Sequence, residues 1–228
     1  MADRKPKTQQ RGHCQCCGGE WAVPVNTPMA SAPSILTSDG RYYDFVHPSL
    51  EGTSVACLAR ALSRLCRFTG HTARFYSVAE HSVWVSLLVP PTLARQALVH
   101  DLHEALVGDV SAPLKALVPD YREIEKAAWR QVALLCDVPV EVHPLVKRAD
   151  LMMLAAERRL LMPRDQEDWE ILKGIPDILT DHPGLCLGKD PDDAFRFFME
   201  RYQAVTVPQI PESFEEIDEP LATVGGAR

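Results

Sequence analysis

The chain has 228 residues, a formal net charge of −7 and a hydrophobic share of 46%, which is ordinary for one substantial globular core. The negative balance argues against nonspecific nucleic-acid binding, and no apolar run reaches the length of a membrane span or a signal peptide. An odd number of cysteines, seven, several of them in apolar segments, favours buried free thiols and a cytoplasmic protein.

The first part of the chain predicts a flexible tail and a small hairpin. Residues 1–32 are polar, carry several Gly and Pro residues, and have no sustained periodicity. Residues 35–46 predict a hairpin around the turn signal Ser38-Asp39-Gly40. The tail contains four potential zinc ligands: His13, Cys14, Cys16 and Cys17. They resemble half of a zinc knuckle but lack a second Cys/His pair, so a reduced, flexible tail is the preferred interpretation.

Helical periodicity dominates from residue 53 onward. Apolar residues recur at three- and four-residue spacing, and Pro, Gly and capping residues delimit the segments. The predicted helices are 53–66, 77–89, 93–108, 111–117, 120–135, 144–162 and 190–202. We therefore expect an all-α bundle of six or seven helices, in a domain of residues 33–205 that includes the small hairpin. Residues 206–228 are acidic and predict a disordered tail.

Two polar residues, His100 and Asp101, lie in a mostly apolar helical segment, where burying either side chain is costly without compensation. His81 and Asp150 lie in similarly apolar segments. Two imidazoles and two carboxylates form a ligand set suited to Zn²⁺, Co²⁺ or Mn²⁺. On a continuous helix Glu104 follows His100 by one turn and faces the same way. The pattern therefore predicts a metal centre with a carboxylate beside it.

Each of these residues has an ordinary alternative role when it is considered alone. A histidine on an apolar helix is more often a core residue with one satisfied hydrogen bond. A buried aspartate is often half of an ion pair. Four such coincidences on three neighbouring helical segments are improbable, so the joint pattern favours the metal site.

The order of these residues resembles the HD-domain superfamily of metal-dependent phosphohydrolases, over about residues 53–160. The resemblance is carried by four segments: Ser77-Val-Ala-Glu-His81-Ser82, Leu98-Val-His100-Asp101-Leu-His-Glu104-Ala105, Gly108-Asp109 and Ala149-Asp150. The string His-Asp-x-x-Glu-Ala-x-x-Gly-Asp is similar to the branch that contains bacterial 5′-deoxynucleotidases, and to the phage-type hydrolases that include dATP triphosphohydrolases. The resemblance implies an HD-type helical bundle.

The resemblance also implies roles for individual side chains. The metal ligands would be His81, His100, Asp101 and Asp150. Glu104 would handle a proton of the attacking water, and Asp109 would orient that machinery or help bind substrate. Arg67 would grip a phosphate and Phe68 would pack on base or sugar; their alternatives are a helix-end surface cation and a core aromatic residue. Further candidates for the substrate site, from their charge and position, are His71, Arg74 and Lys115.

The expected function is metal-dependent hydrolysis of a 2′-deoxynucleotide, with dATP triphosphohydrolase as the first choice. That choice follows from the segment between Arg67 and His81, which resembles the phage-type branch. The alternatives are a 5′-deoxynucleotidase acting on dNMPs and a non-catalytic nucleotide-sensing module. The resemblance implies a homo-oligomer, and a second Mg²⁺ or Mn²⁺ is expected with the substrate phosphates. Neither a nucleic-acid polymer nor a membrane is expected as a partner.

Overall fold

The fold is predominantly helical, as seen in a computed structural model that describes residues 9–13, 20–24, 33–164 and 167–206. The α-helices of these residues are α1 (Val55–Leu62), α2 (Val78–Leu87), α3 (Ala94–Val99), α4 (Glu104–Val107), α5 (Ala112–Leu117), α6 (Pro119–Leu135), α7 (Pro144–Leu161) and α8 (Pro191–Thr206). Short 3₁₀ turns occupy Arg67–Gly70, Pro91–Leu93 and Glu170–Leu172. The strands are β1 (Gln9–His13), β2 (Glu20–Pro24), β3 (Ser34–Leu36) and β4 (Tyr42–Asp44). The predicted all-α class is confirmed.

The strands form two separate antiparallel pairs. β3 and β4 pair with Ile35 opposite Tyr43, and Gly40 adopts the positive φ of 78° that their connecting turn requires. The predicted hairpin is therefore confirmed. The backbones of β1 and β2 also pair, within the segment predicted to be a tail. Cys14, Cys16 and Cys17 lie outside the described residues, as do residues 207–228, so the two tails remain predictions.

Local capping signals mark several helix starts as predicted. The Ser77 side chain accepts a hydrogen bond from the Glu80 N–H at 3.1 Å, and the Asp190 carboxylate accepts from Asp192 and Asp193 at 2.9 Å. Ser111 precedes α5 without making a side-chain cap. Helix α6 begins at Pro119, one residue before the predicted start, so Asp120 lies inside its first turn rather than at the N-cap.

These caps predict a measurable difference between two serines. Ser77→Ala should destabilise the protein by about 0.5–2 kcal/mol, because it leaves a buried N–H of α2 without its acceptor. Ser111→Ala is the matched control and should change stability by less than about 0.5 kcal/mol. Urea denaturation of both variants measures the difference. Equal losses in the two variants would contradict the assignment of Ser77 as the functional cap.

Helix α2 is the central element of the bundle. It packs against α3, α7 and α8. Val78 and Val83 belong to one apolar cluster with α1, α3 and α8, whereas Val85 belongs to a second cluster with α7. A helix that is apolar on all sides is a buried helix, so polar residues on it require specific partners. Glu80 and His81 are both fully buried there.

The predicted continuous helix over residues 93–108 is wrong. The chain forms α3, then a turn through His100–His103, then α4. Across this turn the hydrogen bonds run from residue i to i+3, as from the Leu102 N–H to the Val99 carbonyl at 3.0 Å and from the Glu104 N–H to the Asp101 carbonyl at 2.9 Å. Such 3₁₀-type bonding places side chains three apart above one another. Glu104 therefore lies above Asp101 rather than above His100.

Two further expectations concern membrane spans and cysteines. In the described part of the chain, no helix combines the length and the apolar character needed to cross a membrane. The four cysteines of the same part are free thiols. Cys57 and Cys136 are buried as expected and Cys66 is partly buried, but Cys186 is exposed. The expectation of burial is wrong for Cys186, which lies in the loop before α8 rather than in the bundle.

Candidate metal centre

Helices α2 and α7 and the turn after α3 bring the predicted ligands together. Potential ligand atoms of His81, His100 and Asp150 all lie within 4.8 Å of one another. His81 Nε2 is 3.1 Å from Asp150 Oδ1, and the Asp101 Oδ2 atom is 3.7 Å from His81 Nε2 and 3.2 Å from His100 Nε2. The structure thus contains a His/Asp group that could bind a metal ion.

The two imidazoles are oriented by hydrogen bonds through their Nδ1 atoms. His100 Nδ1 donates to the Ala97 carbonyl at 2.7 Å, and His81 Nδ1 lies 2.5 Å from Glu157 Oε1. Both Nε2 atoms are buried and make no well-formed hydrogen bond among the described residues, although each lies within ion-pair distance of an aspartate oxygen. This is the arrangement of metal-ligating histidines, in which one ring nitrogen is fixed by an outer acceptor and the other faces the ion. The donor set therefore fits a divalent transition metal.

The electrostatics of the group favour a positive charge between the ligands. Burial and the Arg67 guanidinium lower the pKa of His81, but Glu157 and Asp150 outweigh them and raise it to about 9. Burial raises the pKa of Asp101, but His100, His81 and Arg67 lower it well below its usual range. Either a proton on Nε2 or a metal ion supplies the charge that these side chains require.

Glu157 is a residue of the candidate centre that the sequence analysis missed. It is fully buried on α7, seven residues and therefore two helical turns after Asp150. Besides His81, its carboxylate accepts hydrogen bonds from Tyr76 Oη at 2.8 Å and Arg67 Nε at 3.1 Å. Burial alone would raise the pKa of Glu157. The charges of Arg67 and His81 and the hydrogen bonds from His81 and Tyr76 outweigh burial, so the pKa lies below its usual value. Glu157 thus fixes the orientation of the His81 ring.

Arg67 is turned inward rather than outward. Its Nη2 atom lies 3.0 Å from Glu157 Oε2 and its Nη1 atom 3.8 Å from Asp101 Oδ2, with the side chain 11% exposed. The alternative of a surface cation is therefore wrong. The next two residues, Phe68 and Thr69, both have positive φ, at 55° and 54°. Left-handed backbone in non-glycine residues costs about 1–3 kcal/mol each and is concentrated at functional sites.

Glu104, Asp109 and Lys115 lie on the α4 side of the centre. Glu104 is buried, and burial together with Asp101 and Asp109 raises its pKa well above the usual range. Burial is also the first cause of the raised pKa of Asp109, which Arg67 opposes. The Lys115 ammonium pairs with Glu125 and lies 3.9 Å from Glu104 Oε1. The predicted proton-handling carboxylate therefore has a lysine and a second glutamate beside it.

No protein-family profile matches the chain. The uncharacterized protein YfdR of Escherichia coli (strain K12) is 39% identical over 168 residues, which cover 74% of this chain and 93% of YfdR. The chain belongs to the YfdR family. An uncharacterized protein of Rhodobacter capsulatus is 27% identical over 152 residues, covering 60% of this chain and 78% of that protein.

In this YfdR-family chain, two of the predicted substrate residues lie at the surface. Neither His71 nor Arg74 makes a hydrogen bond or ion pair with the metal-ligand group within the described residues. The stem of Arg74 crosses Gly188 so closely that a Cβ at this position would collide with Arg74 Cδ. Gly188 also donates its N–H to the buried Glu80 carboxylate at 3.1 Å. Arg74 thus packs on the loop around Gly188, whose backbone binds the Glu80 carboxylate of α2.

Proposed function

We propose that this chain is a metal-dependent phosphohydrolase of 2′-deoxynucleotides, built on an HD-type helical bundle. The observation that supports the proposal is the pair of buried Nε2 atoms of His81 and His100, which make no well-formed hydrogen bond within the described residues yet lie 3.1 Å and 3.2 Å from oxygens of Asp150 and Asp101. Such a set is costly in a folded protein unless a cation completes it. A proton-handling carboxylate, Glu104, lies on the adjoining turn.

The roles of the side chains follow from their positions. His81, His100, Asp101 and Asp150 would hold a Zn²⁺, Co²⁺ or Mn²⁺ ion, which supplies Lewis acidity and activates water at neutral pH. Glu104 accepts the proton of the attacking water and relays it to the 5′-oxygen when the P–O5′ bond breaks. In this proposal Asp109 orients Glu104.

The preferred substrate is a dNTP, with dATP as the first choice, yielding deoxynucleoside and triphosphate. This preference derives from the resemblance of the Arg67–His81 segment to the phage-type hydrolases. A dNMP is the second candidate, and one observation favours it. Arg67 is paired with Glu157 and Lys115 with Glu125, so two of the cations expected to bind phosphates are already engaged. Both reactions break the same P–O5′ bond and release the same deoxynucleoside; they differ in the group transferred to water, which is triphosphate from a dNTP and orthophosphate from a dNMP.

The decisive experiment is product analysis across the four dNTPs and four dNMPs with added Mn²⁺, Co²⁺ or Zn²⁺. Chromatography should detect deoxynucleoside and triphosphate from dATP. Release of orthophosphate from dNMPs alone would select the nucleotidase instead. Tight nucleotide binding without turnover under any metal would replace the enzyme by a nucleotide-sensing module.

Glu104→Gln tests the proton-handling role. The turnover rate should fall by about 10²–10⁴-fold, because an amide cannot accept the proton of the attacking water. The metal ion held by His81, His100 and Asp150 should remain, as measured by elemental analysis after dialysis. Glu123→Gln is the control, because Glu123 is exposed and pairs with Lys126. A Glu104→Gln enzyme with the wild-type rate would remove this residue from the reaction.

A further inference from the structure

A second group of potential metal ligands lies on the α4 side of the candidate centre. Ligand atoms of His103, Glu104 and Glu125 all lie within 4.8 Å of one another. His103 and Glu104 stand at the start of α4, and Glu125 comes from the second turn of α6. His103 Nε2 is 3.7 Å from Glu125 Oε1. One imidazole and two carboxylates, all of them potential metal ligands, therefore lie close together at a position separate from the first group.

Two members of this group are buried without complete hydrogen bonding. His103 is 8% exposed and Glu104 is 6% exposed. Within the described residues, His103 Nδ1 and Glu104 Oε2 are both buried and have no hydrogen-bond partner. Leaving such a polar atom unsatisfied costs about 1–3 kcal/mol, and more for a charged group. In native proteins such atoms accompany backbone strain, a catalytic role, or a bound water or ion.

The positive charge that faces this group in the structure is the ammonium of Lys115. Its ammonium contacts Glu125 and lies 3.9 Å from Glu104 Oε1, so one monovalent charge faces two carboxylates. Lys115 is carried by α5, a short helix with no buried residue. A lysine ammonium is a compact point charge on a flexible four-carbon stem, so it can change its position more easily than a buried side chain.

We propose that His103, Glu104 and Glu125 bind a second divalent cation, of the Mn²⁺ or Co²⁺ class, which replaces the Lys115 ammonium. Three protein ligands leave coordination positions open for water or for an anionic oxygen. When the ion takes the place of the Lys115 ammonium at Glu125, that ammonium becomes free to approach an anionic molecule bound to the protein. The inference shares Glu104 with the proposed function, in which the same carboxylate handles a proton. Ion binding at these residues is measurable without any substrate, so the second site can be tested separately from the reaction.

Metal stoichiometry tests the second site. Chelator-treated full-length protein is titrated with Mn²⁺ or Co²⁺, and bound metal is counted by calorimetry and elemental analysis. Wild type should bind two ions per chain, and Glu125→Gln should bind one. Glu123→Gln, on the same helix but exposed, should bind two. Asp150→Ala should lose the first ion and keep the second, which separates the two sites.

Other metal counts would overturn one or both of the proposed sites. One ion in wild type, lost in Asp150→Ala, would overturn the second site and leave the proposed function intact. Two ions in Glu125→Gln would overturn the assignment of these ligands. Binding of no ion by wild type would overturn both sites.

Lys115→Met examines the replacement of the ammonium. The dissociation constant of the second ion should fall by about tenfold or more, because the ion no longer competes with a tethered positive charge. Folding is checked by circular dichroism, since methionine keeps the aliphatic stem. An unchanged dissociation constant in a folded Lys115→Met protein would contradict the proposed replacement.

Discussion

Replacing Glu157 by alanine should destabilise the protein by about 3–5 kcal/mol, because the substitution leaves a buried charge without its partner. The Arg67 guanidinium loses two contacts to this carboxylate, and Tyr76 Oη loses its acceptor. The His81 ring loses the acceptor that orients it. Urea denaturation monitored by circular dichroism measures the effect. Glu170→Ala is the control, because Glu170 is exposed and pairs with Lys173 alone in the described contacts.

A milder substitution separates orientation from stability. Glu157→Gln keeps the shape and one acceptor oxygen but removes the charge, so it should fold more stably than Glu157→Ala. Its affinity for the metal at His81 should nevertheless fall by about 10–100-fold, as expected for an outer partner of a ligating histidine. Wild-type stability in Glu157→Ala, or wild-type metal affinity in Glu157→Gln, would contradict the role assigned to this carboxylate.

Metal binding at the first centre should stabilise the folded chain strongly. An ion at 100 times its dissociation constant adds about 2.7 kcal/mol to the free energy of unfolding, which corresponds to about 5–10 °C in Tm for a chain of this size. Differential scanning fluorimetry of chelator-treated protein, with and without Zn²⁺ or Mn²⁺, measures the shift. At the same total concentration, His100→Ala should lose most of it, because one of the two imidazole ligands is missing.

A matched histidine variant controls for nonspecific effects of metal. His47 is exposed and its contact is an ion pair with Asp44. His47→Ala should therefore show the full metal-dependent shift in Tm. An identical shift in His100→Ala and wild type would mean that the stabilising ion binds elsewhere.

Local signals in the sequence were sufficient for most helix starts and for selecting the residues that the fold brings together at the candidate metal centre. The Ser77 cap spans three residues, so it depends on nothing distant in the chain. His81, His100 and Asp150 could be selected because a polar side chain within an apolar helix requires compensation. The break after α3 could not be predicted in this way. No Pro or Gly stands between residues 100 and 103, and hydrogen-bond tightening there depends on tertiary packing.

Charge pairing over long sequence distances was the other part that could not be predicted. Glu157 precedes Arg158 and Arg159, a sequence typical of a solvent-exposed helix end. Its spacing of seven residues from Asp150 was the signal that could have indicated a shared face. Pairing of Arg67 with Glu157, ninety residues away, depends on the packing of α7 against α2. The inward direction of Arg67 was therefore accessible only from the folded chain.

The central position of α2 has a consequence for the dynamics of the site. Since both apolar clusters include residues of this helix, we expect its amide protons to be among the slowest to exchange with solvent in the described bundle. His81 is therefore fixed by global folding, whereas the Asp150 side chain, 38% exposed, can adjust locally. The His81 side of the ligand set is therefore rigid, whereas the Asp150 side can move. A metal bound by these residues would therefore find a ligand set that adjusts to ions of different radius through Asp150, while the His81 imidazole stays in place.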